Sequence, residues 1–206
     1  MGRRRGFDEA VVLNVVRDQF WTTGFAGTST YDLMEATGLG KGSIYKAFGN
    51  KHDLYVRVFS DYCRDLVAQA REQLQGGPKA VLPSPMARLE HYLVSLAVSL
   101  AGESPPRGCF LTKVTADRAG EDEEVAQTAR RAFDDLAGVL AGAIRDQDAG
   151  EVADHVDSSP LGYLLLSVIR GIDSIAKADV DATTLEQAAR SAVALIPRAE
   201  PPREEV

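Results

Sequence analysis

Residues 20–53, FWTTGFAGTSTYDLMEATGLGKGSIYKAFGNKHD, decide how this chain folds. They read as two short helices joined by a Gly-containing turn, with one helix before them and a long one after. Val12, Val15, Val16 and Phe20 recur at spacings of three and four, the buried face of the helix that leads in. Gly24 follows as a C-terminal cap, where positive φ is often required. Thr28 or Ser29 can cap the next helix, and Ser29 with Asp32 has the spacing of a capping box. Leu33 and Ala36 continue its apolar side, and Gly38 ends it. The third helix spans roughly Lys41 to Ala47. Asn50 then caps the long helix, with Asp53 near its positive end. Leu54, Val58, Tyr62 and Leu66 mark that helix's inner face.

The second short helix carries the distinctive chemistry. Lys41, Ser43, Tyr45 and Lys46 share a surface with Ile44 and Phe48. Small, hydroxylic and basic residues at a helix start suit insertion into a DNA groove. Gly42 lets the backbone approach closely; as an ordinary helix residue it would only cost about 1 kcal/mol relative to Ala. Phe25, Leu33, Ile44 and Phe48 read as core residues that fix the angle between helices. Tyr45 is either core or exposed. Lys41 and Lys46 are either solvated surface lysines or contacts to phosphate and base. Thr28 or Ser29 could cap its helix, hold a phosphate, or both, because helix N-termini attract anions. Arg3, Arg4 and Arg5 are a solvated tail or an arm that reaches phosphates or the minor groove.

The 206 residues suffice for one large or two small domains, and 45% of them are hydrophobic, enough for a packed core. No apolar run reaches membrane-spanning length, and none follows the basic N-terminus as in a secretory signal, so the expected location is cytoplasmic with no membrane partner. Cys63 and Cys109 are too few for a disulfide framework or a zinc site. Arg outnumbers Lys 17 to 6, a bias that suggests a GC-rich genome such as that of some bacteria. The net charge of −7 argues against a chain that coats nucleic acid along its whole surface. Residues 1–54 nevertheless carry +1 and residues 55–206 carry −8, an acidic body with a locally basic tip.

Beyond the decisive stretch nearly everything reads as helix. Breaks at 76–85 and 103–108 bound an apolar helix from Met86 to Ala101. The segment CFLTKVTAD, 109–117, is read as a short helix in preference to a strand, because it stands among helices. Residues 121–148 form a charged amphipathic helix with Val125, Ala129, Phe133, Leu136 and Leu140 on one side. Ser159 and Pro160 open a helix in cap-then-proline order, and residues 182–196 form the last. The tail from 199 to 206 has the composition of a disordered segment.

The residues Phe20, Gly24, Phe25, Thr28, Ser29, Leu33, Ala36, Gly38, Ser43, Ile44, Tyr45, Phe48, Lys51 and Leu54 resemble, in identity and spacing, the TetR family of bacterial transcriptional repressors. The likeness covers about the first quarter of the chain, and the remainder is similar in helix count and length. It implies an all-α fold of about nine helices: a helix-turn-helix DNA-binding domain at 1–54 with its motif at about 29–48, then an effector-binding and dimerisation domain at 55–198. DNA contacts are implied at Thr28, Ser29, Lys41, Gly42, Ser43, Tyr45, Lys46 and Lys51, with the Tyr45 hydroxyl and Lys51 on phosphates. Lys46 and Ala47 sit where bulkier or aromatic residues are common in the family, which bears on operator sequence.

Specific binding needs two such units about one DNA turn apart, hence a homodimer and a near-palindromic double-stranded operator. The helices at 160–176 and 182–196 are expected to form the dimer interface. The resemblance also implies a ligand-released repressor with a small-molecule effector, but no cofactor or metal. Candidate lining residues are Phe59, Tyr62, His91, Tyr92, Cys109, Phe110, Phe133 and Tyr163, each of which could equally be ordinary core or surface. Cys109 follows Arg107 and Gly108 near a helix start, where positive charge can activate a thiol, so it is either an oxidant or electrophile sensor or a small buried residue. The rival classes are a helical enzyme and a protein-interaction module. No HExxH, CxxC, GxSxG or phosphate-binding Gly-rich loop supports the first. The basic residues around Tyr45 argue against the second.

Overall fold

The computed structural model describes residues 7–75, 82, 84–103, 107–145, 151–153 and 155–199. Among these the chain forms nine helices and no strand beyond an isolated bridge between Val152 and Arg198. The helices are α1 (Glu9–Gly27), α2 (Thr30–Thr37), α3 (Lys41–Phe48), α4 (Lys51–Leu74), α5 (Pro85–Ala101), α6 (Phe110–Arg118), α7 (Glu123–Arg145), α8 (Ser158–Ala176) and α9 (Ala182–Ala194). The segment at 109–117 is therefore helical. The all-α expectation holds, and among the described residues several helix ends fall where expected while others differ by up to three residues.

The helix boundaries follow from caps. Asp8 opens α1 by accepting from the Ala10 and Val11 N–H groups, and Ser84, Asp157 and Asp181 open α5, α8 and α9 in the same way. Asp157, not Ser159, is thus the cap of α8. Gly24 has the expected positive φ of 73° and breaks the regular helix there; a further short helical turn runs on to Gly27. Arg3, Arg4, Arg5 and all of the expected disordered tail except Ala199 lie outside the described residues.

Two compact units emerge. The first comprises residues up to 64 together with 109–129; the second comprises 65–108 and 130 onward. The edge between them at residues 64 and 65 falls within α4, so this one helix contributes residues to both units. In the first unit α1 packs on α2 and α6, and α2 packs on α3. Its core is aromatic: Phe20 meets the Tyr55 ring edge-on at 4.9 Å, and Phe25 lies 5.0 Å from the same ring.

In the second unit α5 packs against α8 and α9. Leu89, Leu93 and Ala97 of α5 are buried, as are Leu165, Ile169 and Ile172 of α8 and Leu185, Ala189 and Val193 of α9. Arg88 is also buried, because its guanidinium donates to the carbonyls of Leu74 and Leu82, each at 3.1 Å. Gly162 allows α8 to lie directly on α7: a Cβ there would collide with the Ala137 carbonyl.

Candidate nucleic-acid interface

Three devices aim α3. Ser29 and Asp32 form the reciprocal capping box that starts α2, with Asp32 Nα donating to Ser29 Oγ at 3.2 Å and Ser29 Nα donating to Asp32 Oδ2 at 2.7 Å. Those bonds hold the Asp32 carboxyl below its usual range. Gly38 then ends α2 in the left-handed region at φ 67°, turning the chain toward α3. Finally, Asn50 Oδ1 accepts from the His52 and Asp53 N–H groups, while Asp53 Oδ2 accepts from the Asn50 N–H, so α4 starts at a fixed place after a two-residue link from α3.

Within α3 the division between anchor and exposed surface is clear. Ile44 is fully buried and Phe48 half-buried, the latter 6.2 Å from Phe7. Lys41, Gly42, Ser43 and Lys46 are exposed. Nothing lies within 4 Å of where a Cβ on Gly42 would stand. Tyr45 is half-buried; its hydroxyl is 2.5 Å from Thr30 Oγ1, and Lys41 Nζ lies 5.8 Å from its ring centroid. The site thus joins the start of α2 to the exposed side of α3.

Two expected contacts sit differently. Thr28 is fully buried: its hydroxyl donates to the Gly24 carbonyl at 2.7 Å and lies 2.6 Å from Thr23 Oγ1. It braces the backbone at Gly24, and its side chain is held inside the protein. Ser29 beside it is exposed and is the cap. Lys51 is half-buried, with Nζ 4.3 Å from the Phe25 centroid.

Sequence reading passed over a second cluster in the same unit. Arg118 also lies against Phe25, at 4.9 Å. Asp122 accepts from His52 Nε2 at 2.8 Å, from Arg118 Nη2 at 3.4 Å and from the Val125 N–H at 3.2 Å. Burial works against the charged form of Asp122, but these bonds outweigh it and the carboxyl sits below its usual range. Residues 52 and 122 are 70 apart, so no local spacing announces the pair.

The eight candidate ligand residues are divided four and four between the two units. Phe59, Tyr62, Cys109 and Phe110 meet in the first unit as a filled aromatic cluster with Trp21. Phe110 lies 5.4 Å from Trp21, 5.5 Å from Tyr62 and 6.0 Å from Phe59, and the Tyr62 hydroxyl is 3.4 Å from Cys109 Sγ. Cys109 is the N-cap of α6, at the helix start expected for it, yet only 9% exposed. The neighbouring Cys63 thiol is pushed up to about 12, mainly by burial. In the second unit Tyr92 is buried and Phe133 half-buried, His91 is exposed beside Ser95, and Tyr163 donates to Asp134 at the surface. A cleft of about 510 Å³ in that unit is lined by Arg71, Leu74, Gln75, Asp134, Asp135, Gly138, Val139, Gly142, Ala143 and Arg145, and by none of the eight candidates.

Comparison with known proteins supplies the context. The model for "Bacterial regulatory proteins, tetR family" matches residues 12–58, and that for "Tetracyclin repressor-like, C-terminal domain" matches residues 85–192. The HTH-type transcriptional repressor ComR of Escherichia coli (strain K12) is 27% identical over 198 residues, covering 95% of this chain and 92% of ComR. The uncharacterized HTH-type transcriptional regulator YezE of Bacillus subtilis (strain 168) is 26% identical over 188 residues, covering 90% of this chain and 94% of YezE. Among solved structures, a cysteine mutant of the TetR family regulator CifR, complexed with 26-bp double-strand operator DNA, superposes with a TM-score of 0.81. It is 24% identical and matches 95% of this chain and 100% of its own. The reduced form of Escherichia coli NemR gives 0.79 at 18% identity, over 93% of this chain and 96% of that one.

Proposed function

From the premise that the chain belongs to the TetR family of bacterial transcriptional regulators, we propose that it is a repressor that grips a near-palindromic operator as a homodimer and releases it when a small-molecule effector binds. Membership makes it a DNA-binding regulator and answers the enzyme alternative, since the family regulates transcription. One observation carries the finer reading: α3 is anchored by fully buried Ile44 while Lys41, Gly42, Ser43 and Lys46 stay exposed along it. A helix held this way can enter a major groove by its first turn. Lys41, Gly42 and Ser43 then meet base edges, while Ser29, Tyr45, Lys46 and Lys51 meet phosphates. Two relatives support the reading: ComR is named a repressor, and CifR was solved with its operator.

Two copies are needed to span successive major-groove faces. We assign the dimer interface to α8 and α9, where Leu164 is 51% and Ile175 49% exposed within one chain. An effector releases DNA only if it prefers the released arrangement of the two heads. The chain would work where the chromosome is, in the cytoplasm; no helix of the described residues is long and apolar enough to cross a membrane.

Selecting duplexes from a random DNA pool tests the proposal. A palindromic consensus, bound with an affinity that falls steeply with salt, is expected. Recovery of unrelated sequences, or no retention at low ionic strength, would refute it. A second reading, release through oxidation of Cys109, is favoured by the thiol's place beside the Tyr62 hydroxyl at the start of α6. Mass spectrometry after mild oxidant treatment decides it: modified Cys109 with lost operator binding supports it, and an unmodified thiol rules it out.

A further inference from the structure

We infer that Thr30 is a positioning residue for DNA binding: it donates a hydrogen bond to the Tyr45 hydroxyl and thereby turns that hydroxyl's own proton outward, toward a phosphate. The inference rests on the reading above that puts Tyr45 on the DNA backbone. Thr30 is the first residue of α2 and Tyr45 lies in α3, and their oxygens are 2.5 Å apart. Either oxygen can donate in the free protein. DNA removes that freedom. An ionised phosphate oxygen only accepts, and a phenol has one proton to give. Once Tyr45 spends its proton on phosphate, its bond to Thr30 survives only with Thr30 as donor.

The order of the relay is therefore fixed as Thr30 Oγ1–H to Tyr45 Oη, then Tyr45 Oη–H to phosphate. Two benefits follow. The half-buried ring is already held when DNA arrives, so less freedom is lost on binding. A hydroxyl that accepts one hydrogen bond is also polarised into a better donor for the next. The Lys41 ammonium near the ring brings positive charge to the same spot. The arrangement also ties the start of α2 to α3 through a bond that strengthens when DNA is present, so the two helices would approach the backbone as one surface.

The experiment is a double-mutant cycle in fluorescence anisotropy, using an operator duplex recovered by selection. Thr30→Val keeps the shape and removes the hydroxyl; Tyr45→Phe keeps the ring and removes the phenol oxygen. Thr30→Val is expected to weaken binding about three- to tenfold, the worth of one hydrogen bond. Thr30→Ser should stay within about twofold of the parent protein, because it restores the donor. In the Tyr45→Phe background Thr30→Val should cost nothing further, since its acceptor is gone. Thermal midpoints of every variant separate this from a fold effect: a merely structural threonine would lower the midpoint without coupling to Tyr45 in the binding cycle. If Tyr45→Phe weakens binding but Thr30→Val does not, or if the two losses simply add, the relay is overturned while Tyr45 keeps its place. If Tyr45→Phe binds like the parent, the phosphate role of Tyr45 falls and takes the relay with it.

Discussion

Thr28 and Ser29 are adjacent hydroxyl residues with opposite roles, and the contrast marks what a residue-level reading can resolve. Spacing alone identified Ser29 with Asp32 as a capping box, because the motif is local and its partners are three residues apart. Spacing could not identify Thr28 as the buried brace of Gly24, since that depends on a kink whose direction only the packed helices set. Ser29→Ala should lower stability by about 1 kcal/mol, read as a lower thermal midpoint. Thr28→Val should cost about 1 kcal/mol, since the part-buried Gly24 carbonyl loses its hydroxyl donor. Equal midpoints for Thr28→Val and the parent protein would contradict the bracing role.

The Asp122 carboxyl makes a further residue-scale prediction, about pH. Its folded-state value lies below the unfolded value near 3.8, so its contribution to stability is present above that value and is lost as pH falls through the lower folded one. Denaturation midpoints measured from pH 6 down to pH 2 should therefore fall less steeply below about pH 4 for Asp122→Asn than for the parent. Parallel curves would contradict the assignment.

At the level of elements, most helices of the described residues were legible because they have a cap, an apolar periodicity or a breaker in the sequence, whereas α6 was read from its helical neighbours. The amphipathic runs of α4 and α7 and the Gly38 stop after α2 are of this kind. Their ends were less legible. Gly24 breaks the helix as its positive φ requires, but the short extra turn from there to Gly27 left no signal in the sequence. Gly162 shows the converse, a requirement invisible in sequence: it gives no propensity signal, but α8 rests on the α7 backbone there. Gly162→Leu should loosen that contact and cost at least 1–3 kcal/mol, the range for overpacking, visible in chemical denaturation.

The other face of α8 predicts assembly. Leu164→Asp with Ile175→Asp would place two charges in the proposed interface, where charged groups are depleted. The doubly substituted protein should run as a monomer in sedimentation and bind operator much more weakly, with an unchanged circular dichroism spectrum. A persistent dimer would move the interface elsewhere.

For the whole molecule, the sequence's charge is asymmetric, with residues 1–54 at +1 and the rest at −8, which favours DNA contact through the first stretch. Association between distant stretches of the chain was not legible. Residues 109–129 join the first unit although they stand far along the chain, and the His52–Asp122 pair within that unit spans 70 residues. Long-range pairing of this kind leaves no periodic trace. The candidate effector residues were illegible for a related reason. Aromatic side chains at helical spacing look the same whether they fill a core, as Phe59 and Phe110 do, or stand at the surface, as Tyr163 does.

The central claim is that the exposed start of α3 enters a major groove twice per assembly. Methylation protection at guanine N7, an atom exposed in the major groove, tests it on a selected operator duplex. Two symmetric protected patches about 10 base pairs apart, or a multiple of that, are expected, and they should vanish from both half-sites in Lys41→Ala, Ser43→Ala protein. A bound complex with N7 atoms as reactive as in free DNA would contradict the account.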